Sequence, residues 1–342
     1  MGKQKNIDKK ENSFIGIREI AQIANVSTAT VSRVINHPEK CSEKTRIKIE
    51  KIIKEYNYIP NEYIKHIFSK SSNTIAIFIQ DINNPFYAHL ITEINNLCFR
   101  EQYTLFICNT ENDIEKEKAY LDLCIAKRCA GIILTEGAAN TLYQNVDIPF
   151  VALDRQDDKQ ISSVTSETNI SIKKAINYLH NLGHSKIAFV GPFNSFCTVK
   201  NRYHSYESVM KELNIPINPE YVYCKDGDVT TDYGKMALQY LLSLPEMPSA
   251  LLCANDLIAL GVINEAKVMN LNIPEDLSIC GYDHVLDNFL HLPMTTIEQD
   301  IKGIAEQLFF LLIDRPETPV QKVIDSTFIP GQTCARLSDN ND

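Results

Sequence analysis

Short apolar segments alternate with amphipathic helical patterns over most of this chain, from residue 74 to residue 282. Helical patterns of about 10–18 residues separate the apolar segments, which indicates parallel sheets joined by crossover helices. Because the alternation starts afresh near residue 166, two similar α/β lobes are favoured over one large sheet. The predicted strands are TIAIFIQ (74–80), TLFICN (104–109), AGIILT (130–135), PFVALD (149–154), KIAFVG (186–191), ALLCA (250–254) and LSICGY (277–282).

The chain has to pass between these lobes more than once. The segments near residues 163–166 and 291–297 are typical of such crossings, and a third crossing is needed if the C-terminal strand KVIDSTFIP returns. The predicted first lobe covers residues 74–165 with a return segment at about 294–322, and the predicted second lobe covers residues 166–293 with a C-terminal segment at about 323–338.

Charge is distributed unevenly along the chain, whose net charge is −9. The first 72 residues carry 14 Lys and Arg against 8 Asp and Glu, whereas the remainder carries 20 against 35. A basic head on an acidic body indicates a module that binds a polyanion, joined to a domain with another task.

Composition excludes several other classes of protein. No apolar run reaches the roughly 18 residues of a membrane span, and the first residues lack the apolar stretch of a signal peptide. We therefore expect a cytoplasmic protein with no membrane partner. The 10 cysteines are scattered from Cys41 to Cys334 without a C-x-x-C motif. Reduced thiols are favoured over a disulfide framework, and no metal or other cofactor is predicted.

The head contains a helix-turn-helix pattern in the string IREIAQIANVSTATVSRVIN. Its apolar residues form two helical faces on either side of Asn25, a residue type that accepts the positive φ of a sharp turn. Ser27 follows as a natural N-cap of the second helix. A third helix is predicted in CSEKTRIKIEKIIKEYNY, with Ser42 as its N-cap, and the head is predicted to cover residues 15–59.

The exposed face of the second helix carries small or hydrogen-bonding side chains, as an element that enters the major groove requires. Thr28 and Ala29 lie at the first turn, where base edges are reached, and Ser32 and Asn36 are placed for phosphate oxygens. Arg33 reads a guanine or pairs with the DNA backbone. For each of these residues taken alone, the alternative to a DNA contact is a place on a solvated helix face. The predicted contacts of this region with DNA are Ser27, Thr28, Ala29, Thr30, Ser32, Arg33 and Asn36.

Three strings together resemble the lactose/galactose repressor (LacI/GalR) family: IREIAQIANVSTATVSRVIN, SEKTRIKIEKIIKEYNYIPN and TIAIFIQDINNPFY. VSTATVSRVIN and YIPN are the specific part, and the match covers nearly the whole chain. The resemblance implies a small all-α helix-turn-helix head and a periplasmic-binding-protein-like body of two parallel-sheet lobes. It also implies a homodimeric repressor of carbohydrate-utilisation genes that binds a pseudo-palindromic operator and responds to a small effector, a sugar or a sugar phosphate.

The resemblance also assigns a role to residues 60–73, a hinge helix and linker. In the family this helix folds on DNA, pairs with its dimer mate and inserts an apolar wedge into the minor groove. Here Asn61 is the expected cap, Lys65 stands where arginine is common, and Ile67 occupies the wedge position. The alternative for Ile67 is a linker residue that packs against the body.

Polar and aromatic side chains that directly follow strands are candidates for a ligand cleft, since the carboxyl ends of parallel strands meet at one edge. Carboxylates, amides and an arginine beside aromatic rings suit a polyol, whose hydroxyls donate and accept hydrogen bonds. The resemblance places effector contacts at five positions, Phe86, Asp154, Arg202, Asn255 and Asp283, and Tyr87 and Arg155 are added to them. The predicted effector residues are Phe86, Tyr87, Asp154, Arg155, Arg202, Asn255 and Asp283.

Some alternatives remain open from the sequence alone. Tyr87 fits a core position, Arg155 can pair with a neighbouring carboxylate, and Asp256 can serve as a helix N-terminal carboxylate. Asp154, Asp256 and Asp283 would also offer a glycosidase its paired carboxylates, but no nucleotide, zinc-hydrolase or nucleophile-elbow motif occurs, and no catalytic residue is predicted. A regulator that works through a phosphoprotein partner and a cytosolic sugar-binding or sugar-processing protein are the alternative functions.

Overall fold

The computed structural model describes residues 15–58, 72–135, 143, 146–154, 161–193, 197–286 and 291–337. The chain divides into two compact units, the head at residues 1–72 and the body at residues 73–342. Each unit is a separate body with its own apolar core.

The head consists of three helices, α1 (Ile17–Ala24), α2 (Thr28–Asn36) and α3 (Glu43–Glu55), with a 3₁₀ turn at Pro38–Lys40. Asn25 takes the left-handed conformation, at φ 52°, and turns the chain between α1 and α2. Ser27 caps α2, because its side chain accepts a hydrogen bond from the Thr30 N–H at 3.1 Å. The α2 and α3 caps and the Asn25 turn therefore confirm the prediction. Ile20, Val31 and Ile49 are completely buried between the helices, as the apolar pattern requires.

The first lobe is built on a six-stranded, all-parallel sheet in the order β11-β5-β4-β3-β1-β2. This arrangement confirms the predicted fold class for this lobe, since crossover helices flank the sheet. Its strands are β1 (Thr74–Ile79), β2 (Thr104–Asn109), β3 (Gly131–Leu134), β4 (Phe150–Leu153), β5 (Ser162–Ser166) and β11 (Gln321–Ile324). Its helices are α4 (Pro85–Arg100), α5 (Ile114–Ala126) and α10 (Ile301–Asp314), which follows the second lobe in the sequence.

The second lobe is built on a four-stranded parallel sheet in the order β7-β6-β8-β9. Its strands are β6 (Ile187–Val190), β7 (Val222–Tyr223), β8 (Ala250–Cys253) and β9 (Ser278–Cys280). Its helices are α6 (Asn169–Asn181), α7 (Cys197–Glu212), α8 (Thr231–Leu242) and α9 (Asp256–Val268). An antiparallel pair, β10 (Thr296–Gln299) and β12 (Ser326–Ile329), contacts α6.

Two segments that the sequence pattern assigns to crossings are strands in the structure. Residues 162–166, SSVTS, form β5 in the interior of the first sheet, and residues 296–299 form β10. The hydroxyl-rich composition of β5 hides it from an apolar pattern. Its hydroxyls are satisfied inside the protein instead: Ser163 donates to the Gln321 side chain, and Thr165 donates to the Lys322 carbonyl oxygen.

Most apolar side chains of helix α4 pack on the sheet of their own lobe. Ile94 is completely buried, and Leu97 and Cys98 are nearly so, in one core with β1 and β3. These residues therefore belong to the fold of the lobe, and Phe99, which is 82% exposed, is the apolar side chain that α4 presents outward. No helix among the residues that the structure describes is long and apolar enough to cross a bilayer.

Candidate functional site

The first candidate site is the outer face of α2 in the head. Ser27, Thr28 and Ala29 are exposed at its N-terminus, and Arg33 and Asn36 are exposed further along the helix. Thr30 and Ser32 are half-buried on the same helix. Because Val31 and Val34 point into the head core, the seven predicted residues share the side of α2 that faces away from it.

Local hydrogen bonds hold several of these side chains in place. The hydroxyls of Ser27 and Thr30 are 2.9 Å apart, and the Asn36 amide donates to Ser32 Oγ at 3.3 Å. Such fixed donors and acceptors lose little conformational entropy when they contact a phosphate or a base edge. The predicted residues Asn61, Lys65 and Ile67 of the hinge, and Arg155 of the cleft, lie outside the described residues.

The second candidate site is a cavity between the lobes of the body. It encloses about 60 Å³ and draws its lining from the carboxyl ends of strands in each sheet. Six of the seven predicted effector residues line it: Phe86, Tyr87, Asp154, Arg202, Asn255 and Asp283. Residues that the sequence analysis did not select also line it: Asn84, Thr135, Leu153, Thr198, Val199, Val229 and Gln299. The rule about strand ends and the family resemblance together therefore selected six side chains that line one cavity.

Arg202, on α7, connects the elements on the second-lobe side of the cavity. Its Nη1 donates to the Ala254 carbonyl oxygen at 2.5 Å, and its Nη2 lies 3.4 Å from Asp283 Oδ1. Its guanidinium carbon lies 3.7 Å from the centre of the Tyr282 ring, in cation–π geometry. With only 8% of its surface exposed, Arg202 is fixed by the ends of two strands, and this rigidity prepares it to orient a ligand.

Gln299, at the end of β10, joins this network although the sequence analysis did not select it. Its Nε2 donates to Asp283 Oδ1 at 2.6 Å, while its Oε1 accepts from the Ser166 hydroxyl at the end of β5. One amide thus links a second-lobe carboxylate to a first-lobe strand. The available signal was the position of Gln299 at the end of a strand, but β10 itself was not recognised in the sequence.

Three carboxyls of the cleft hold their protons more tightly than exposed carboxyls do. Burial raises the pKa of Asp283 to about 7, although Arg202 and Gln299 act to lower it. Burial likewise raises the pKa of Asp154 to about 6, against the lowering effect of Arg202 and of the Ser166 N–H. Burial raises the pKa of Asp256 to about 6 in spite of its hydrogen bond from Thr296. For Asp154 and Asp283, desolvation outweighs the positive charge that Arg202 supplies.

Several nearby polar groups serve the fold. Asp256 accepts hydrogen bonds from the Val285 N–H at 2.9 Å and from Thr296 Oγ1 at 2.7 Å, so that it ties the residues after β9 to β10. Asn255 caps α9 through its bond from the Ile258 N–H at 2.9 Å. His184, in the loop before β6, bonds to the Ala335 carbonyl oxygen and to Ser249, so its ring holds this loop against neighbouring segments.

The two aromatic candidates differ in their surroundings. Phe86 is 6% exposed and belongs to the apolar core of the body, so only its edge reaches the cavity. Tyr87 is half-buried, and its hydroxyl donates to Gln80. The two rings meet edge to face at 5.5 Å.

Two neighbouring cavities extend the site. One of about 210 Å³ shares Asn84, Tyr87 and Val229 with the central cavity, and one of about 390 Å³ shares Asp154 and Thr198 with it. The central cavity alone is too small for a ligand of sugar size, whereas the three together reach the range of small-molecule sites, roughly 300–1,000 Å³.

Known protein families match the two parts of the chain separately. The model of the bacterial regulatory proteins of the lacI family matches residues 16–61. The model of the periplasmic binding protein-like domain matches residues 176–337. The first match covers α1 to α3, and the second covers most of the second lobe and the segments that follow it.

Whole-chain comparisons agree with these matches. The HTH-type transcriptional repressor PurR of Aliivibrio salmonicida is 31% identical over 306 residues, which are 87% of this chain and 91% of that protein. The structure of the lac repressor dimer bound to operator and the anti-inducer ONPF superposes with a TM-score of 0.82 at 24% identity, over 95% of this chain and 100% of that one. A LacI family regulator from Enterococcus faecium with bound ribose superposes with a TM-score of 0.70 at 24% identity, over 78% of this chain and 100% of that one.

Proposed function

Because the chain belongs to the LacI family of DNA-binding transcriptional regulators, we propose that it represses carbohydrate-utilisation genes and that a small sugar bound between its lobes alters its affinity for an operator. The effector is a sugar or a sugar phosphate, and the working form is a homodimer on a pseudo-palindromic site. The observation that carries the proposal is the meeting of six predicted effector residues around one cavity.

The head supports the DNA-binding part. Its second helix exposes small and hydrogen-bonding side chains in a stretch of chain that carries a positive net charge. Such a surface fits a major groove, and positive charge supplies the salt-dependent part of the affinity for DNA. In the two-subunit form, two such heads would read the two halves of the operator.

The body supports the effector-binding part. A ligand in the cavity would contact Phe86 and Asp154 of the first lobe and Arg202 and Asp283 of the second. It would therefore favour the arrangement of the two lobes that it binds more tightly. The size of this effect equals the difference in its binding free energy between the two arrangements. The E. faecium regulator with bound ribose is a relative of this fold that holds a sugar. Asp256 is not among the residues that line this cavity, and its carboxylate bonds within the fold instead.

The test is selection of bound sites from random duplex DNA, with and without a panel of sugars and their phosphates. The proposal expects a pseudo-palindromic consensus that at least one compound weakens or strengthens. Arg33→Ala should change the preference at one base position if Arg33 reads a base, or lower affinity for every sequence equally if it contacts phosphate. Lys54→Ala, which removes an exposed charge from the end of α3, is the matched control. Recovery of unselected sequences would refute the proposal.

A further inference from the structure

Three cysteine thiols lie together in the smaller core of the first lobe. This core lies on one face of the sheet and takes Leu121 and Cys124 from α5. Cys108 comes from the edge strand β2, Cys124 from the last turn of α5, and Cys129 from the residues that lead into β3. All three are free thiols, and none of them lines the effector cavity. The cluster is therefore separate from the site described above.

The three side chains form a row with Cys124 in the middle. The Cys124 thiol shares one hydrogen bond with the Cys108 thiol and another with the Cys129 thiol. Cys108 and Cys124 are completely buried, whereas Cys129 keeps 3% of its surface exposed. Thiols that already touch need little movement to form a disulfide, whose S–S bond is about 2 Å long. Cys124 therefore has two candidate partners.

The backbone favours Cys129 as the partner of Cys124. Helix α5 is followed by a left-handed residue, Arg128 at φ 51°, and the Cys129 N–H donates to the Cys124 carbonyl oxygen at 3.0 Å. The chain thus folds back over the last turn of the helix, and the two cysteines hold the positions whose side chains touch in this helix-end motif. A disulfide needs Cα atoms about 4.4–6.8 Å apart, and adjoining backbones meet this need. Cys108 approaches Cys124 from β2, across the apolar core.

In the folded protein these thiols are protonated. The hydrogen bond with Cys108, together with burial, raises the pKa of Cys124 to about 12, although Cys129 acts to lower it. The hydrogen bond with Cys124 and burial also raise the pKa of Cys129. Since the thiolate is the reactive form, the closed pair reacts slowly. Reaction proceeds when the end of α5 opens, and helix ends open at little cost in free energy.

We propose that Cys124 and Cys129 form a redox-modification site, at which a peroxide converts the two thiols into a disulfide. With hydrogen peroxide, the more exposed Cys129 sulfur takes one oxygen atom and becomes a sulfenic acid, and a molecule of water leaves. The Cys124 sulfur then attacks that sulfur, and the S–O bond breaks as the S–S bond forms. The hydroxyl leaves with the Cys124 proton as a second water. The peroxide accepts both electrons that the thiols lose, and an external thiol reverses the modification.

The test is peptide mapping of the full-length protein after reduction, exposure to hydrogen peroxide and blocking of the remaining thiols with N-ethylmaleimide in denaturant. Trypsin cleaves after Lys127 and Arg128, so Cys124 falls in peptide 119–127 and Cys129 in peptide 129–155. Without reduction, we expect these two peptides to be joined, with a mass two hydrogen atoms below their sum, and to separate on reduction. Peptide 119–127 linked to peptide 101–116, which holds Cys108, would overturn the proposal. So would peptides 119–127 and 129–155 that stay unlinked.

Two alanine variants test the choice of partner. Cys108→Ala should form the cross-link at least as fast as the wild type, because it removes the hydrogen bond that raises the pKa of Cys124. Cys98→Ala is the matched control, since Cys98 is equally buried but lies on α4 in the larger core, and it should leave the rate unchanged. Loss of the cross-link in Cys108→Ala alone would make Cys108 part of the reacting pair and overturn the assignment. The wild-type peptide map decides the question if a variant fails to fold.

Discussion

Replacing Asp283 with asparagine should change how the stability of the body depends on pH. The pKa of this carboxyl rises from the ordinary 3.8 to about 7 in the fold, because burial disfavours its charged form. The folded protein therefore keeps a proton that the unfolded chain releases. Its contribution to stability is complete below pH 3.8 and is lost as the pH rises towards 7. Between pH 5 and pH 7 the loss amounts to about 2 kcal/mol, which is less than two full pH units at 1.36 kcal/mol each because the folded carboxyl is itself half-ionised at pH 7.

The assay is urea unfolding of the full-length wild type and Asp283→Asn, followed by far-ultraviolet circular dichroism at pH 5, 6, 7 and 8. The variant lacks this titration, so its unfolding free energy relative to wild type should increase by about 2 kcal/mol from pH 5 to pH 7. Asp154 and Asp256 titrate in the wild type and in the variant, so their effect largely cancels in the difference. Asp122→Asn serves as the control for net charge. Parallel curves for wild type and Asp283→Asn would refute the reasoning.

Four further changes probe other parts of the structure. Ser27→Ala removes the cap of α2, which bonds the Thr30 N–H at 3.1 Å, and should cost the head about 1 kcal/mol; unchanged hydrogen exchange of the α2 amides would contradict this. Gly261→Ala should destabilise the body by about 1–3 kcal/mol, because a Cβ there would lie 1.9 Å from the Thr231 carbonyl oxygen of α8; an unfolding midpoint equal to wild type would show that the two helices do not approach so closely. Burial lowers the pKa of His184 below 6.5, and Nε2 carries the ring proton because the Ala335 carbonyl oxygen can only accept it. The free energy of unfolding should therefore fall as the pH drops through 6.5, because the unfolded chain takes up a proton that the folded ring resists. An NMR titration that gives the ring a pKa at or above 6.5 would exclude this pH dependence. Arg202→Lys keeps the positive charge but cannot reproduce the two-nitrogen guanidinium contact with Ala254 and Asp283. Affinity for the sugar should therefore fall about tenfold or more, while affinity for the operator without sugar stays the same. Unchanged affinity for the sugar would remove Arg202 from the site.

The elements that local chemistry determines were predictable from the sequence. Asn25 and Ser27 are the residue types that a tight turn and an N-cap require, and the structure places them in those roles. The buried strands of the two sheets are continuous apolar runs. The rule about strand ends selected Asp154 and Asp283, and the family resemblance added Arg202, which lies on α7.

The features that depend on long-range packing were not predictable in the same way. Strand β5 is polar in sequence and becomes a buried strand because its hydroxyls find partners on β11. Ile47 of α3 and Tyr56, the residue directly after α3, fit the apolar period of the helix, yet they are 55% and 47% exposed because the head is too small to cover more of that face. Gln299 was missed because its role depends on contacts with Asp283 and Ser166, which are distant in the chain.

The most direct test of the whole account is a reciprocal measurement on the full-length protein. Operator affinity is measured with and without a saturating sugar, and sugar affinity is measured with and without saturating operator. If one protein couples the cleft to the head, the two affinities must change by the same factor, in the same direction. A sugar that binds the cleft but leaves operator affinity unchanged would contradict the account.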